Sequence, residues 1–191
     1  NEDASEEKAT NESTSQKIGD FWKSAMDSAG IEKAGLTPLA ADMTKIDAIK
    51  NTDDLIAESA ELQSKGVDCL FSSYIAQDDK NSEMMAVKMD QGGLGLPNRD
   101  YYFNTDAQTV KVREAYKTYL LKTFTRIDSL HAQQDADEMF ALETTLAKSS
   151  RKLADLRDPY KNYNKMHRSE LAKRAPFVNW ELYAKVSGIN K

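Results

Sequence analysis

Apolar positions along this chain recur mostly at helical spacing, with one stretch that alternates instead. Over residues 16–28, Ile18, Phe21, Trp22 and Ala25 fall on one helix face, and Gly30 follows as a stop. Their bulk casts Phe21 and Trp22 as core anchors. A short helix is predicted over 43–50. Asn51 or Thr52 then caps another, in which Leu55, Ile56, Ala60 and Leu62 share a face until Gly66 ends it. Residues 67–90 change the period. Val67, Leu70, Phe71, Tyr74 and Ile75 form a β-prone run, 77–82 a polar turn, and Met84, Met85, Val87 and Met89 a second run, the pattern of a β-hairpin. A lone hairpin is marginal in water, so this one must lie on the helices or pair with a strand elsewhere.

Beyond 92–103 the helical period returns. Asp106 or Thr105 caps a long helix reaching about residue 130, striped by Val110, Val112, Ala115, Tyr116, Tyr119, Leu120, Phe124 and Ile127. A second, from about 135 to 154, carries Met139, Phe140, Leu142, Leu146 and Leu153, and Asp135 and Asp137 favour its N-terminus. The two predict an antiparallel helical hairpin with Tyr119 and Leu142 buried inside it. Asp158-Pro159 breaks the chain, Ser169 opens a short helix that stops before Pro176, and Phe177, Trp180, Leu182, Tyr183 and Val186 form a last amphipathic segment ending at Gly188. The fold class read from this pattern is mainly α, a helical bundle-like lobe with a long antiparallel helical hairpin and one small β-hairpin.

At 191 residues the chain is long enough for one sizeable domain or a lobe of a larger one. No apolar run approaches the roughly 20 residues that cross a bilayer. A net charge of −5, with 26 basic and 31 acidic residues interspersed, argues against a nucleic-acid surface. The single cysteine excludes an internal disulfide, and Cys69, set in the apolar run 67–71, reads as a small core residue. Residues 1–15 read as a flexible acidic N-terminal segment, whose Asn11-Glu12-Ser13 triplet fits a glycosylation sequon but carries little weight. With no initiator Met, signal sequence or lipid-anchor motif at Asn1, the chain is expected to be an excised piece.

The stretch 92–103, Gly-Gly-Leu-Gly-Leu-Pro-Asn-Arg-Asp-Tyr-Tyr-Phe, holds the densest candidate chemistry. Gly92, Gly93 and Gly95 permit positive φ, and Pro97 pushes Leu96 toward an extended conformation, which predicts an ordered loop. Arg99 and Asp100 are the candidate substrate-binding or catalytic pair, since a buried Arg fixes carboxylates through two hydrogen bonds. The plainer reading makes both stitch the loop to helix ends or backbone carbonyls, with Tyr101 and Tyr102 as packing residues. Glu143, followed by Lys148 and Arg151, reads as part of a solvated or inter-helix ion pair. His131 and His167 stand too far apart to bind one metal from a single helix, so neither a metal site nor a catalytic residue is assigned.

Several motifs in order resemble the N-terminal half of the neprilysin family of zinc metallopeptidases. They are Gln16-Lys-Ile-Gly-Asp-Phe-Trp with Gly35-Leu-Thr-Pro-Leu39, Asp78-Asp-Lys-Asn-Ser82, Gly93-Leu-Gly-Leu-Pro-Asn-Arg-Asp-Tyr-Tyr102, the Leu142-Glu143 helix, Leu156-Arg-Asp-Pro159 and Tyr163-Asn-Lys-Met166. The likeness spans roughly residues 16–188, far more than a single short motif. It implies that residues 16–191 are the helical N-terminal, capping region of a zinc endopeptidase of short peptides, in an extracytoplasmic setting. It further implies that zinc belongs to a C-terminal catalytic domain of the same protein, because the family's His-Glu-x-x-His helix has no counterpart here. Peptide substrates are then the partners of the whole protein. The alternative is a stand-alone, non-catalytic helical interaction module.

Overall fold

A computed structural model describes residues 13–189. These described residues form two compact units, divided between Asp47 and Ala48. Residues 1–12, most of the predicted acidic segment, lie outside the described residues. Residues 14 and 15 are helical, since α1 (Thr14–Met26) starts where Ser13 accepts a hydrogen bond from the Gln16 amide at 3.1 Å.

The first unit continues through α2 (Ser28–Ala34), a 3-10 turn at Thr37–Leu39 and α3 (Ala40–Asp47). Gly30 is not the stop its sequence suggests. Asp27 ends α1 and caps α2 by accepting from the Gly30 amide at 2.9 Å, and a Cβ on residue 30 would lie 2.3 Å from that carboxylate. The third helix runs 40–47 rather than 43–50, because the turn that Pro38 opens leads directly into it. Phe21 and Trp22 are not core anchors within this unit, being 77% and 40% exposed. These helices are too short and too few to enclose an aromatic side chain.

The second unit opens with α4 (Thr52–Ser64), capped as predicted by Asn51, which accepts from the Asp54 amide at 3.0 Å. The hairpin follows as β1 (Phe71–Asp78) and β2 (Asn81–Gln91), antiparallel in the register Phe71↔Gln91 to Gln77↔Met85. Next come α5 (Asp100–Phe103), α6 (Ala107–Ile127) and α7 (Ala132–Ser149), then α8 (Pro159–Asn162), α9 (Arg168–Arg174) and α10 (Trp180–Val186). Asp106 caps α6 as expected, accepting from the Thr109 amide at 3.0 Å. The long helices stop three to five residues short of their predicted ends, α7 where Ser150 turns extended.

One core joins α4 to α10 through Ile56, Ala60, Trp180 and Tyr183. Phe71 at the base of the hairpin packs on it, with ring centroids 6.0 Å from Trp180 and 5.2 Å from Tyr183. The buried Tyr183 hydroxyl donates to Gln63 Oε1 at 2.6 Å and meets Ser73 Oγ at 2.5 Å, while the Gln63 amide donates to the Phe71 carbonyl. This small network pins the hairpin to the helices. Tyr183→Phe is therefore expected to cost about 1–3 kcal/mol in urea unfolding, with the core geometry retained.

The helical hairpin of α6 and α7 forms, but its inner face differs from the predicted one. Tyr119 is 61% and Leu142 53% exposed. On α7 the buried row is Ala132, Ala136, Glu143 and Ala147, whose spacing keeps them on one side of the helix while Leu142 lies off it. Cys69 is only partly buried, and burial pushes its thiol pKa up. At the far end of α7, Gln91 returns to the chain. Its side chain accepts from the Arg151 amide at 2.9 Å and donates to the Arg151 carbonyl at 3.1 Å.

Candidate functional site

The 92–103 loop fills the space between the end of β2 and the helical hairpin, and its hydrogen bonds converge on Glu143. Leu96 and Tyr102 are buried with Ala147, against Leu94, Val112, Tyr116 and Phe140. Tyr102 donates to Glu143 Oε2 at 2.7 Å and Tyr116 donates to Oε1 at 2.7 Å, so each carboxylate oxygen holds one phenol. The Leu96 amide in turn donates to the Tyr102 oxygen at 3.1 Å. Burial, followed by bonding to the carboxylate, raises the Tyr116 pKa, and burial does the same for Tyr102. Both phenols therefore stay protonated and serve as donors. Glu143 is 2% exposed. It is a sequestered acceptor, not the solvated or ion-paired carboxylate that its neighbours Lys148 and Arg151 suggest.

The glycines make room for this arrangement. Gly93 has φ 74°, and a Cβ there would sit 2.9 Å from both the Cys69 carbonyl and Leu146 Cδ1. At Gly95 a Cβ would fall 1.9 Å from the Tyr116 hydroxyl. The aromatics that follow do not run extended. Residues 100–103 form the single helical turn α5, which buries Tyr102 and leaves Phe103 40% exposed.

Arg99 and Asp100 are adjacent in sequence but do not act together. The Arg99 guanidinium stacks on the Phe103 ring at 5.5 Å, and its Nε is buried with no hydrogen-bond partner. Asp100 opens α5 and receives no ion pair from Arg99. The stitching expected of this pair belongs to Arg113, whose guanidinium donates to the carbonyls of Tyr101 at 3.0 Å and Asn104 at 3.2 Å. Sequence reasoning passed over Arg113 and misplaced Glu143. A signal existed for the second, since Glu143 falls in register with the alanines of α7.

A second polar cluster closes the tip of the β-hairpin. Asp78, with a side chain only 3% exposed, meets Lys165 Nζ at 2.8 Å, accepts from the Tyr163 hydroxyl at 3.0 Å and takes the Lys80 and Asn81 amides at 2.9 and 3.1 Å. Lys80 lies 4.2 Å over the Tyr163 ring. Bonding to Lys165, then to the Lys80 amide, holds the Asp78 carboxyl at about 2, below its ordinary 3.8. A carboxyl depressed in this way stabilises the fold fully above pH 3.8 and loses that stabilisation as pH falls through 2. Asp78→Asn should therefore flatten this part of an acid-unfolding curve, measured by circular dichroism between those limits.

Among the described residues, no group of three or more His, Cys, Asp or Glu side chains could hold a metal ion. His131 pairs at 2.6 Å with Asp128, and that hydrogen bond raises its pKa. His167 lies on an open groove of about 730 Å³ with Asp53, Arg168, Phe177, Trp180 and Glu181. The polar groups of that groove are already engaged, Asn179 with Asp53 at 3.0 Å and Arg168 with Glu181 at 3.0 Å. The residues here do not fit a catalytic zinc. No described helix is long and apolar enough to cross a membrane.

A family model for Peptidase family M13 matches residues 1–191. Neprilysin-3 of Drosophila melanogaster is 36% identical over 114 residues, covering 59% of this chain and 14% of the relative. An endothelin-converting enzyme homolog of Locusta migratoria is 29% identical over 163 residues, covering 80% and 22%. Endothelin-converting enzyme-like 1 of Mus musculus is 29% identical over 182 residues, covering 87% and 23%. The chain thus spans less than a quarter of the length of these curated relatives. Among solved structures, the zinc metalloprotease Zmp1 of Mycobacterium tuberculosis, in complex with an inhibitor, superposes with TM-score 0.87 at 30% identity, over 97% of this chain and 28% of that one. The same enzyme in an open state gives 0.85 at 29% identity.

Proposed function

We infer, from the fact that this chain belongs to peptidase family M13, that it is the helical N-terminal region of a zinc-dependent endopeptidase acting on short peptides. In this reading residues 16–191 shape or cover the active-site cavity, and the zinc and its ligands sit in a C-terminal catalytic domain of the same polypeptide. That ion would supply the Lewis acid and the activated water for attack on a peptide carbonyl. The chain's own residues act one step back, by holding a rigid wall. The observation that carries the reading is the match to zinc metalloprotease Zmp1, which takes in nearly the whole of this chain and only 28% of that one. An extracytoplasmic location belongs to the same proposal, on the strength of its resemblance to the neprilysin and endothelin-converting enzymes.

The coding sequence beyond Lys191 is the first test. A continuation containing a His-Glu-x-x-His helix, and chelator-sensitive hydrolysis of short peptides by the full-length protein, are the expected results. A stop codon there, with no hydrolysis, would instead favour a stand-alone interaction module. For the 92–103 loop we propose an architectural role. In the full-length protein Arg99→Ala and Tyr101→Ala should lower the melting temperature and folded yield while the folded fraction keeps near-normal kcat. A variant that melts like the parent yet loses about a thousandfold in kcat would place the loop in the active site, with Arg99 and Asp100 contacting substrate.

A further inference from the structure

The β-hairpin has two unlike faces. Side chains alternate along a strand, and residues directly opposite each other in an antiparallel pair share a face. The pairs Ser73↔Met89, Ile75↔Val87 and Gln77↔Met85 therefore put Ile75, Met85, Val87 and Met89 on the side that Phe71 and Ser73 turn toward Trp180 and Tyr183. Past those two aromatics the described residues cover the face only in part. Ile75 is 62%, Met85 61%, Val87 38% and Met89 37% exposed. The opposite face is mixed, with Tyr74, Lys88 and Asp90 beside Ala76, Ala86 and Met84, and a Lys88–Asp79 ion pair near the turn. The hairpin is also held in place at both ends, by Tyr183 and Gln63 at its base and by Tyr163 and Lys165 at its tip.

We propose that this apolar face is an interface, covered by an apolar segment of the same polypeptide lying outside residues 1–191. The proposal rests on the M13 reading, and two observations favour this occupant. A parent like Zmp1 has most of its length outside the region matched here, since this chain takes in 28% of it. The face also extends a contact already made within the chain, where Trp180 and Tyr183 cover its lower end, so a further apolar element would complete one continuous core. Methionines suit such a contact because they adapt to an irregular partner surface.

Met84 and Met85 provide a test free of substitutions. They are neighbours on opposite faces, 47% and 61% exposed in this chain, and would oxidise at similar rates if the face stayed open. The full-length protein is treated briefly with hydrogen peroxide, and sulfoxide at each methionine is read from fragment ions of its peptides. Met85 and Met89 should oxidise about tenfold more slowly than Met84, at every protein concentration and without added peptide. Equal rates would overturn the proposal. Protection that fades on dilution would assign the face to a second copy, and protection that needs added peptide would assign it to substrate; either also overturns it. A full-length protein that hydrolyses peptides but shows equal rates sinks the interface alone. A protein with neither extension nor hydrolysis sinks the functional reading first.

Discussion

Glu143→Ala is expected to lower the unfolding free energy of this region by about 3–5 kcal/mol, the larger of two effects centred on the loop. Each phenol bonded to the buried carboxylate contributes about 1.5–3 kcal/mol, and truncation leaves the Tyr102 and Tyr116 hydroxyls without an acceptor. Glu143→Gln keeps one acceptor oxygen and should cost less. Tyr102→Phe and Tyr116→Phe each remove one donor, and in a double-mutant cycle with Glu143→Ala their effects should fall well short of additive. Urea midpoints of the full-length protein give the measurement. A midpoint unchanged in Glu143→Ala would show that the carboxylate does not hold the loop.

Gly93→Ala should destabilise by about 2–5 kcal/mol, from two independent penalties. A left-handed backbone costs a residue with a Cβ roughly 1–2 kcal/mol. Overpacking adds about 1–3 kcal/mol, because the new methyl would press on the Cys69 carbonyl and Leu146 at 2.9 Å, and the carbonyl is main chain that cannot swing aside. Gly95→Ala offers a contrast, since its obstacles are side chains, the Tyr116 hydroxyl at 1.9 Å, the ring Cζ at 2.6 Å and Glu143 Oε1 at 3.1 Å. That variant should cost more than Tyr116→Phe, because the ring as well as the hydroxyl must move and the bond to Glu143 is lost. If Gly93→Ala melts with the parent, the loop is not seated as described.

The elements most legible in the sequence were those with local causes. Asn51 and Asp106 announce helix starts because a short polar side chain there can accept a backbone amide within its own turn. The hairpin shows through its change of period. What escaped were choices made by distant partners. Leu142 and Glu143 are adjacent on one helix, and hydrophobicity favours burying the leucine; two tyrosines from other elements reverse that order. Gly30 reads as a terminator until Asp27 is seen to need its amide. Phe21 and Trp22 were legible as apolar but not as exposed in their own unit, because burial depends on what surrounds a helix and not on its pattern. In the 92–103 loop, glycine, proline and aromatic content announced order, and the carboxylate that organises it lies some forty residues later, beyond any local rule.

The paired hydrogen bonds between the Gln91 side chain and Arg151 have a consequence for modularity. A side-chain amide stands in for a peptide group, presenting one donor and one acceptor to the main chain of a residue 60 positions away. The chain therefore leaves and re-enters the rest of the fold at neighbouring points that this staple holds together, and the loop with α6 and α7 between them forms a closed excursion. Changes in length at the far turn, around Asp128–His131, need not be transmitted past that staple. Such a segment could lengthen or shorten over evolutionary time, or accept a grafted element at its tip, while the hairpin and the α4–α10 core keep their places.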